Sequence, residues 1–436
     1  MSAPPTNPFF YGPPVKGDYF LDRVEALNTI IGRAAHPHKP QSTAVVGQPH
    51  VGKSSLLHKL ADPATLQPFC EGQPHSLLAH YFDLHDIPLD YTPADFWREA
   101  LSPVRRRPQD RGLAAQLKRA DGEQYGRRAL ERVFAHLAHT QQRRLLLLLD
   151  EFERLLRHPG FSDPAFFAGL RSLGNNTDGL ALVVASRLSV DAMNGVGQGL
   201  LATGSPFFNA MVEVRLPPFD AATTAQLLGR GGDAFTPQER ALIGRMAGPS
   251  PYLLQAMAAN LYAQPAGPER LHRATAEFYS QIAHHFSDLW GSLDDGTRTV
   301  AVILALAELD NTAFGRVFAN NEVNHPERFD VELRRLADLG LAERVARPGW
   351  WPWRRDAWRL SAYAFGIWLY EAVIRPARPL PQVQELLEQQ RYRLFLTEGQ
   401  WQGIVGGRRE ARLLATESLA VLIKYLVEEL TGTRLL

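Results

Sequence analysis

The sequence is poor in the residues that staple small folds or hold metals. A single cysteine, Cys70, stands among 436 residues, which excludes an intramolecular disulfide and a thiolate zinc cluster and fits a reducing, cytoplasmic setting. Net charge is nearly absent, +1 from 47 basic and 46 acidic residues. No overall basic field therefore points to nucleic acid, although local patches remain open. Uninterrupted apolar runs of about 18 residues are missing, and no charged n-region precedes an apolar stretch near Met1. Neither a membrane span nor a signal peptide is expected. Internal repeats and low-complexity tracts are lacking too. What remains, 45% apolar and 21% charged, is the composition of a soluble globular protein, and the length suggests two to four domains.

The most informative stretch is Gly47-Gln48-Pro49-His50-Val51-Gly52-Lys53-Ser54, a match to G-x-x-x-x-G-K-[ST]. Its glycines let the backbone curl so that N–H groups face phosphate oxygens, Lys53 brings a cation to the β- and γ-phosphates, and the Ser54 hydroxyl suits Mg²⁺. Context strengthens the match. Ser42–Val46 reads as a buried parallel strand, and Ser55-Leu56-Leu57-His58-Lys59-Leu60 has helical spacing, which places a helix N-terminus under the phosphates.

Upstream, residues 1–14 hold five prolines and should lie extended. Val24, Leu27, Ile30 and Ile31 then share a helical face, with Asp22 as the expected N-cap. Leu77–Phe82 is the second expected strand. Residues 88–112, rich in Pro and Arg, read as a connection with Arg105, Arg106 and Arg107 solvated, because no interleaved aromatics support base stacking. Tyr125–Gln142 has helical spacing. Five leucines, Leu145–Leu149, followed by Asp150-Glu151, form a strand covered on both faces whose carboxylates emerge at its C-terminal edge. This is a Walker B pattern, in which Asp150 serves the Mg²⁺ shell and Glu151 polarises the attacking water. Leu180–Ala185 is a fourth strand, expected between the Walker B and P-loop strands, with Ser186 or Arg187 at its tip to sense the γ-phosphate. Val212–Leu216 is a fifth, ended by Pro217-Pro218. The fold expected for residues 1–219 is an α/β P-loop NTPase with a parallel sheet.

Residues 220–285 read as a helical lid, with candidate helices at Thr223–Leu228, Pro237–Met246 and Tyr252–Tyr262. Residues 286–376 offer helices at Thr299–Leu309 and Phe329–Leu339, a stop at Gly340, and strands near Leu341–Arg347 and Ala357–Leu360, a winged-helix outline. The hairpin tip Gly349–Arg355 sets three tryptophans beside two arginines. Residues 377–436 hold two further candidate helices, Gln382–Phe395 and Glu410–Leu430. The pairs His36/His38, His80/His85, His136/His139 and His284/His285 lack a converging carboxylate pattern, so only Mg²⁺ is expected as a metal.

Asn7-Pro8-Phe9, Tyr11-Gly12 and Phe20–Leu27, with Val184–Arg187, Gly248–Gln255 and Glu332–Leu341, resemble the STAND-related, archaeal-type branch of AAA+-like P-loop ATPases. Asp22 stands where that family usually has Gly, and Ala26 where it has Leu. The resemblance implies ATP or ADP with Mg²⁺ as ligands, Asp22, Arg23 and Ser55 beside the nucleotide, and Pro251 against adenine. It further implies a slowly hydrolysing signalling switch that assembles with itself or controls a separate protein effector, in bacterial signalling or defence. Two alternatives stay open: a DNA-binding ATPase of origin-recognition or transposition type that uses the winged helix, and a non-catalytic nucleotide-binding adaptor.

Overall fold

The computed structural model describes residues 6–106, 110–198, 211–267, 269–312, 326–345 and 357–374. Internal contacts divide them into two units: Pro13–Leu216, and a second that joins the segment up to Gly12 with the chain from Pro217 onward.

In the first unit, α1 (Val24–Ala34), β1 (Thr43–Val46), α2 (Lys53–Ala61), α3 (Pro63–Cys70) and β2 (Ser76–Asp83) come in turn. Then follow α4 (Pro93–Ala100), α5 (Ser102–Arg105), α6 (Arg111–Gly122), α7 (Arg127–His139) and β3 (Arg143–Asp150). The unit closes with α8 (Glu153–Arg157), α9 (Pro164–Asn176), β4 (Leu180–Ser186), α10 (Val190–Gln198) and β5 (Val212–Arg215). The five expected strands are all present, parallel, in the order β2-β3-β4-β1-β5. As expected, β4 lies between β3 and β1, the arrangement of a P-loop NTPase sheet.

The leucine run shows why β3 takes an interior place in the sheet. Leu145, Leu147 and Leu149 enter a core built with Phe96, Trp97, Phe134 and Leu170, while Leu146 and Leu148 enter the opposite core with Ile30, Leu56, Leu57 and Leu60. All five are fully buried, each contributing roughly 2 kcal/mol of burial. At the start of the strand, Arg144 is fully buried too. Its guanidinium donates to the carbonyls of Asp178 (2.9 Å), Ala34 (3.4 Å), His36 (2.6 Å) and Pro37 (3.3 Å).

Two expectations are corrected in this unit. Residues 88–112 are not a bare connection but contain α4 and α5 and the start of α6. The Thr92 hydroxyl accepts the Asp95 N–H while the Asp95 carboxylate accepts the Thr92 N–H, a capping box with Pro93 in the first turn. Phe96, Trp97 and Ala100 then bury the helix. Nor is Arg105 simply solvated: it donates to the Tyr125 hydroxyl and lies 3.8 Å from Asp121. Arg107 is outside the described residues. The second correction concerns Asp22. The N-cap of α1 is Arg23, in the left-handed conformation and without a side-chain cap bond.

The second unit comprises α11 (Ala221–Gly229), α12 (Pro237–Ala247), α13 (Pro251–Ala263), α14 (Arg270–Ser292), α15 (Asp295–Thr312), α16 (Pro326–Asp338), β6 (Ala342–Val345), β7 (Ala357–Leu360) and α17 (Tyr363–Leu369). Strands β6 and β7 pair antiparallel. Gly340, with φ +70°, follows α16, and the Leu341 N–H returns to the Leu336 carbonyl, a left-handed stop that glycine adopts without strain. Residue 286, where a winged-helix domain is expected to begin, lies inside the continuous 23-residue α14. The N-terminal segment packs here: Asn7 Nδ2 donates to the Ala259 carbonyl (3.0 Å), Phe9 stacks on Phe235 at 5.5 Å, and the Tyr11 hydroxyl bonds Gln281. The expected tip Gly349–Arg355 and the helices Gln382–Phe395 and Glu410–Leu430 lie outside the described residues. Among the described residues no helix is long and apolar enough to cross a membrane.

Candidate nucleotide site

Strand β1 is buried along its length and runs into the loop 47–52, which hands over to α2 at Lys53. The loop curls through two left-handed residues, His50 (φ +64°) and Gly52 (φ +103°). At Gly52 any other L residue would be strained. Its carbonyl accepts the Leu56 N–H at 2.9 Å, so the loop enters the helix directly. The loop is pinned from two sides, by the Gly47 N–H to the Ser186 carbonyl (3.3 Å) and by Arg23 Nη2 to the Val51 carbonyl (3.4 Å). Arg23 is buried, and Asp22 lies 4.0 Å from it. Ser55 Oγ accepts the Val15 N–H at 3.1 Å, which fastens the N-terminal approach to the first turn of α2.

Lys53 is 6% exposed. Its ammonium donates to the Gly47 carbonyl (2.8 Å) and the Gln48 carbonyl (3.0 Å), folded back on its own loop. Burial pulls its pKa below the ordinary 10.5, against the opposing pull of Glu153, Glu151 and Asp150. Ser54, half-buried, follows it on α2.

The acidic side of the site comes from the end of β3. Asp150 is 2% exposed. Its Oδ2 accepts the Tyr81 hydroxyl at 2.9 Å, and its Oδ1 accepts the Glu151 N–H at 3.0 Å. Glu151 sits in the left-handed region at φ +51°, a turn that carries its side chain off the strand line and is uncommon for a residue with a Cβ. Its Oε2 meets Arg187 Nη2 at 3.2 Å. Arg187 follows the buried Ser186 at the tip of β4, and also reaches Glu153 Oε1 with Nε at 3.4 Å. One guanidinium thus binds two carboxylates.

The structure therefore gathers Gly47 to Ser55, Asp150, Glu151 and Arg187 at the C-terminal edge of three adjacent strands, with Arg23 on the loop. Pro251 belongs to the other unit, where it opens α13 behind the Ser250 cap. Sequence reading missed Glu153 and Tyr81. Glu153 is 7% exposed, and its Oε2 is buried with no hydrogen-bond partner among the described residues. Its signal was the Glu-x-Glu spacing after the leucine run. Tyr81 had no local signal, since its link to Asp150 depends on the pairing of β2 with β3. Burial first, then the charge of Asp150, raises the Tyr81 phenol well above its ordinary value, so it remains a proton donor.

Residues 36–193, from ahead of β1 into α10, match the family model described as an AAA domain. No curated protein sequence matches the chain. Solved structures similar to it include a Walker-type ATPase of Pyrococcus abyssi (16% identity, TM-score 0.48, covering 82% of this chain and 98% of that one). The ORC1 protein of Aeropyrum pernix in complex with DNA is another, at 17% identity and TM-score 0.40, covering 85% and 96%. A third is the RuvB Holliday junction branch migration motor of Thermotoga maritima, at 13% and 0.35, covering 68% and 80%. At those identities and scores the likenesses decide nothing about activity.

The donors gathered at this sheet edge fit a magnesium nucleotide. Hydroxyl and carboxylate oxygens are the hard ligands that Mg²⁺ takes. The curled loop at the start of a nine-residue helix offers N–H groups to an anion. A desolvated lysine, bonded among the described residues to two carbonyls, gains from a phosphate that replaces them.

Proposed function

We propose that the chain binds ATP in the loop Gly47–Ser54 and hydrolyses it slowly, as a switch whose nucleotide state governs self-assembly or a separate protein effector. The observation that carries this reading is the convergence of Lys53, Asp150, Glu151 and Arg187 at one sheet edge, with Glu151 already engaged by Arg187. In this account Lys53 leaves the Gly47 and Gln48 carbonyls for the β- and γ-phosphates. Ser54 and Asp150 hold Mg²⁺, which when bound neutralises charge on those phosphates. Glu151 orients and polarises water for in-line attack, and Arg187 must turn from Glu151 to meet the γ-phosphate. That exchange supports gating and low turnover. Asp22 and Arg23 approach the nucleotide beside the loop, and Pro251 covers adenine when the helices from 220 onward act as a lid. The STAND resemblance supports the switch reading, with a bacterial signalling or defence setting.

The test is a pair of variants in the full-length protein. Glu151→Gln should bind ATP as the parent does and lose about 100-fold or more of its turnover. Lys53→Ala should lose binding itself, and unchanged nucleotide affinity in that variant would remove the reading.

A second reading is DNA binding by a winged helix. The order α15, α16, β6, β7, with the two strands antiparallel, supports it. Its signature is duplex binding that weakens steeply with salt and on changing Arg354 and Arg355. No binding at low salt would reject it.

A further inference from the structure

Strands β2 and β3 pair in parallel with Tyr81 opposite Leu148 and Asp83 opposite Asp150. Side chains alternate along a strand, so Ala79, Tyr81, Leu146, Leu148 and Asp150 share the sheet face covered by α2. The Tyr81 ring reaches diagonally toward the strand end and places its hydroxyl 2.9 Å from Asp150 Oδ2. Because Oδ1 is taken by the Glu151 N–H, each carboxylate oxygen has one fixed donor, and the plane of the carboxylate is set. The ring itself is held from above. His58, five positions after Lys53 on α2, stacks on it with centroids 4.1 Å apart and planes 27° from parallel. A continuous contact therefore runs from the helix that carries Lys53 and Ser54, through His58 and Tyr81, to the buried acidic residue of β3.

We propose that Tyr81 is a positioning residue for the divalent ion: it orients the Asp150 carboxylate so that its remaining lone pairs face the Mg²⁺ accompanying the nucleotide. This rests on the ATP reading above. A carboxylate without this donor could rotate toward Lys53, and a metal site would have to order it on binding. Partners one step behind metal ligands commonly set affinity in this way, by about 10- to 100-fold. The Tyr81→Phe change removes one oxygen and keeps the ring under His58.

The experiment titrates Mn²⁺ into full-length protein saturated with ADP, following free Mn²⁺ by electron paramagnetic resonance, and separately measures ADP affinity in EDTA by fluorescence. In Tyr81→Phe the Mn²⁺ affinity should fall about 10-fold while ADP affinity in EDTA stays as in the parent. A cycle with Asp150→Asn provides the second arm. If Tyr81 acts through Asp150, its removal in that background should change Mn²⁺ affinity by less than about 2-fold, since coupled residues do not add. Unchanged or tighter Mn²⁺ binding in Tyr81→Phe overturns the proposal, as does an equal loss in both backgrounds or a loss of ADP affinity in EDTA. A parent protein that binds no nucleotide overturns the ATP reading, a failure separate from a parent that binds Mn²⁺-ADP with Tyr81 making no difference.

Discussion

Arg187 holds Glu151 at 3.2 Å and Glu153 at 3.4 Å, and under the ATP reading the same guanidinium must also meet a γ-phosphate. Removing it has two opposed effects, and magnitude decides between them. The Arg187 side chain is 46% exposed, so breaking its pairs frees Glu151 at a gain of about 1 kcal/mol at most. A cation placed on the transferring phosphoryl group is worth about 10³-fold or more in turnover. Arg187→Ala should therefore lower turnover at saturating ATP strongly and change ATP affinity little, and faster turnover would mean that the latch dominates. Lys53 yields a pH prediction. Its pKa is lowered in the empty loop because burial disfavours the charged form. Phosphate favours that form, so binding takes up a proton once the empty-site lysine has begun to lose its own. ATP affinity should decline as pH rises toward 10.5, and calorimetry in buffers of different ionisation enthalpy should reveal the uptake; a flat affinity would count against Lys53 as the phosphate ligand.

Strand β3 and its supports set the prediction at the scale of elements. Arg144 ties the end of α1 and the chain after it to the turn ahead of β4 through four carbonyls. Arg144→Met keeps much of the side-chain length but strands those acceptors. A loss of about 3 kcal/mol is expected, read as a lower urea midpoint at unchanged slope. An effect below about 1 kcal/mol would mean that water takes over. The strands were legible in the sequence because a doubly covered parallel strand writes itself as an unbroken apolar run, and Leu145–Leu149 has no competing pattern. Helix α4 was hidden inside a proline- and arginine-rich stretch, although its signal, Thr92-Pro93-Ala94-Asp95, was there as a capping box. The start of α1 misled for a different reason. Asp22 has the chemistry of an N-cap, yet two consecutive left-handed residues, Asp22 and Arg23, carry the chain into the helix by another route.

For the whole molecule the switch reading predicts a change of mass. Light scattering should show growth with ATP and Mg²⁺ but not with ADP, greatest in Glu151→Gln, where ATP persists. One mass in every nucleotide state would favour the adaptor or DNA-binding readings. The sequence by itself determined the loop Gly47–Ser54, the acidic end of the leucine strand and the order of the sheet-forming segments. Phosphate-binding backbone and buried parallel strands each demand a contiguous, recognisable string of residue types. Only the tertiary structure decided that Tyr81 anchors Asp150 across 69 positions of chain, that Arg187 bridges Glu151 and Glu153, and that residues 7–11 pack on the helices of the second unit. Those relations arise from strand register and long-range packing, where any of many tyrosines or arginines would read the same in sequence until the pairing of the sheet selects one.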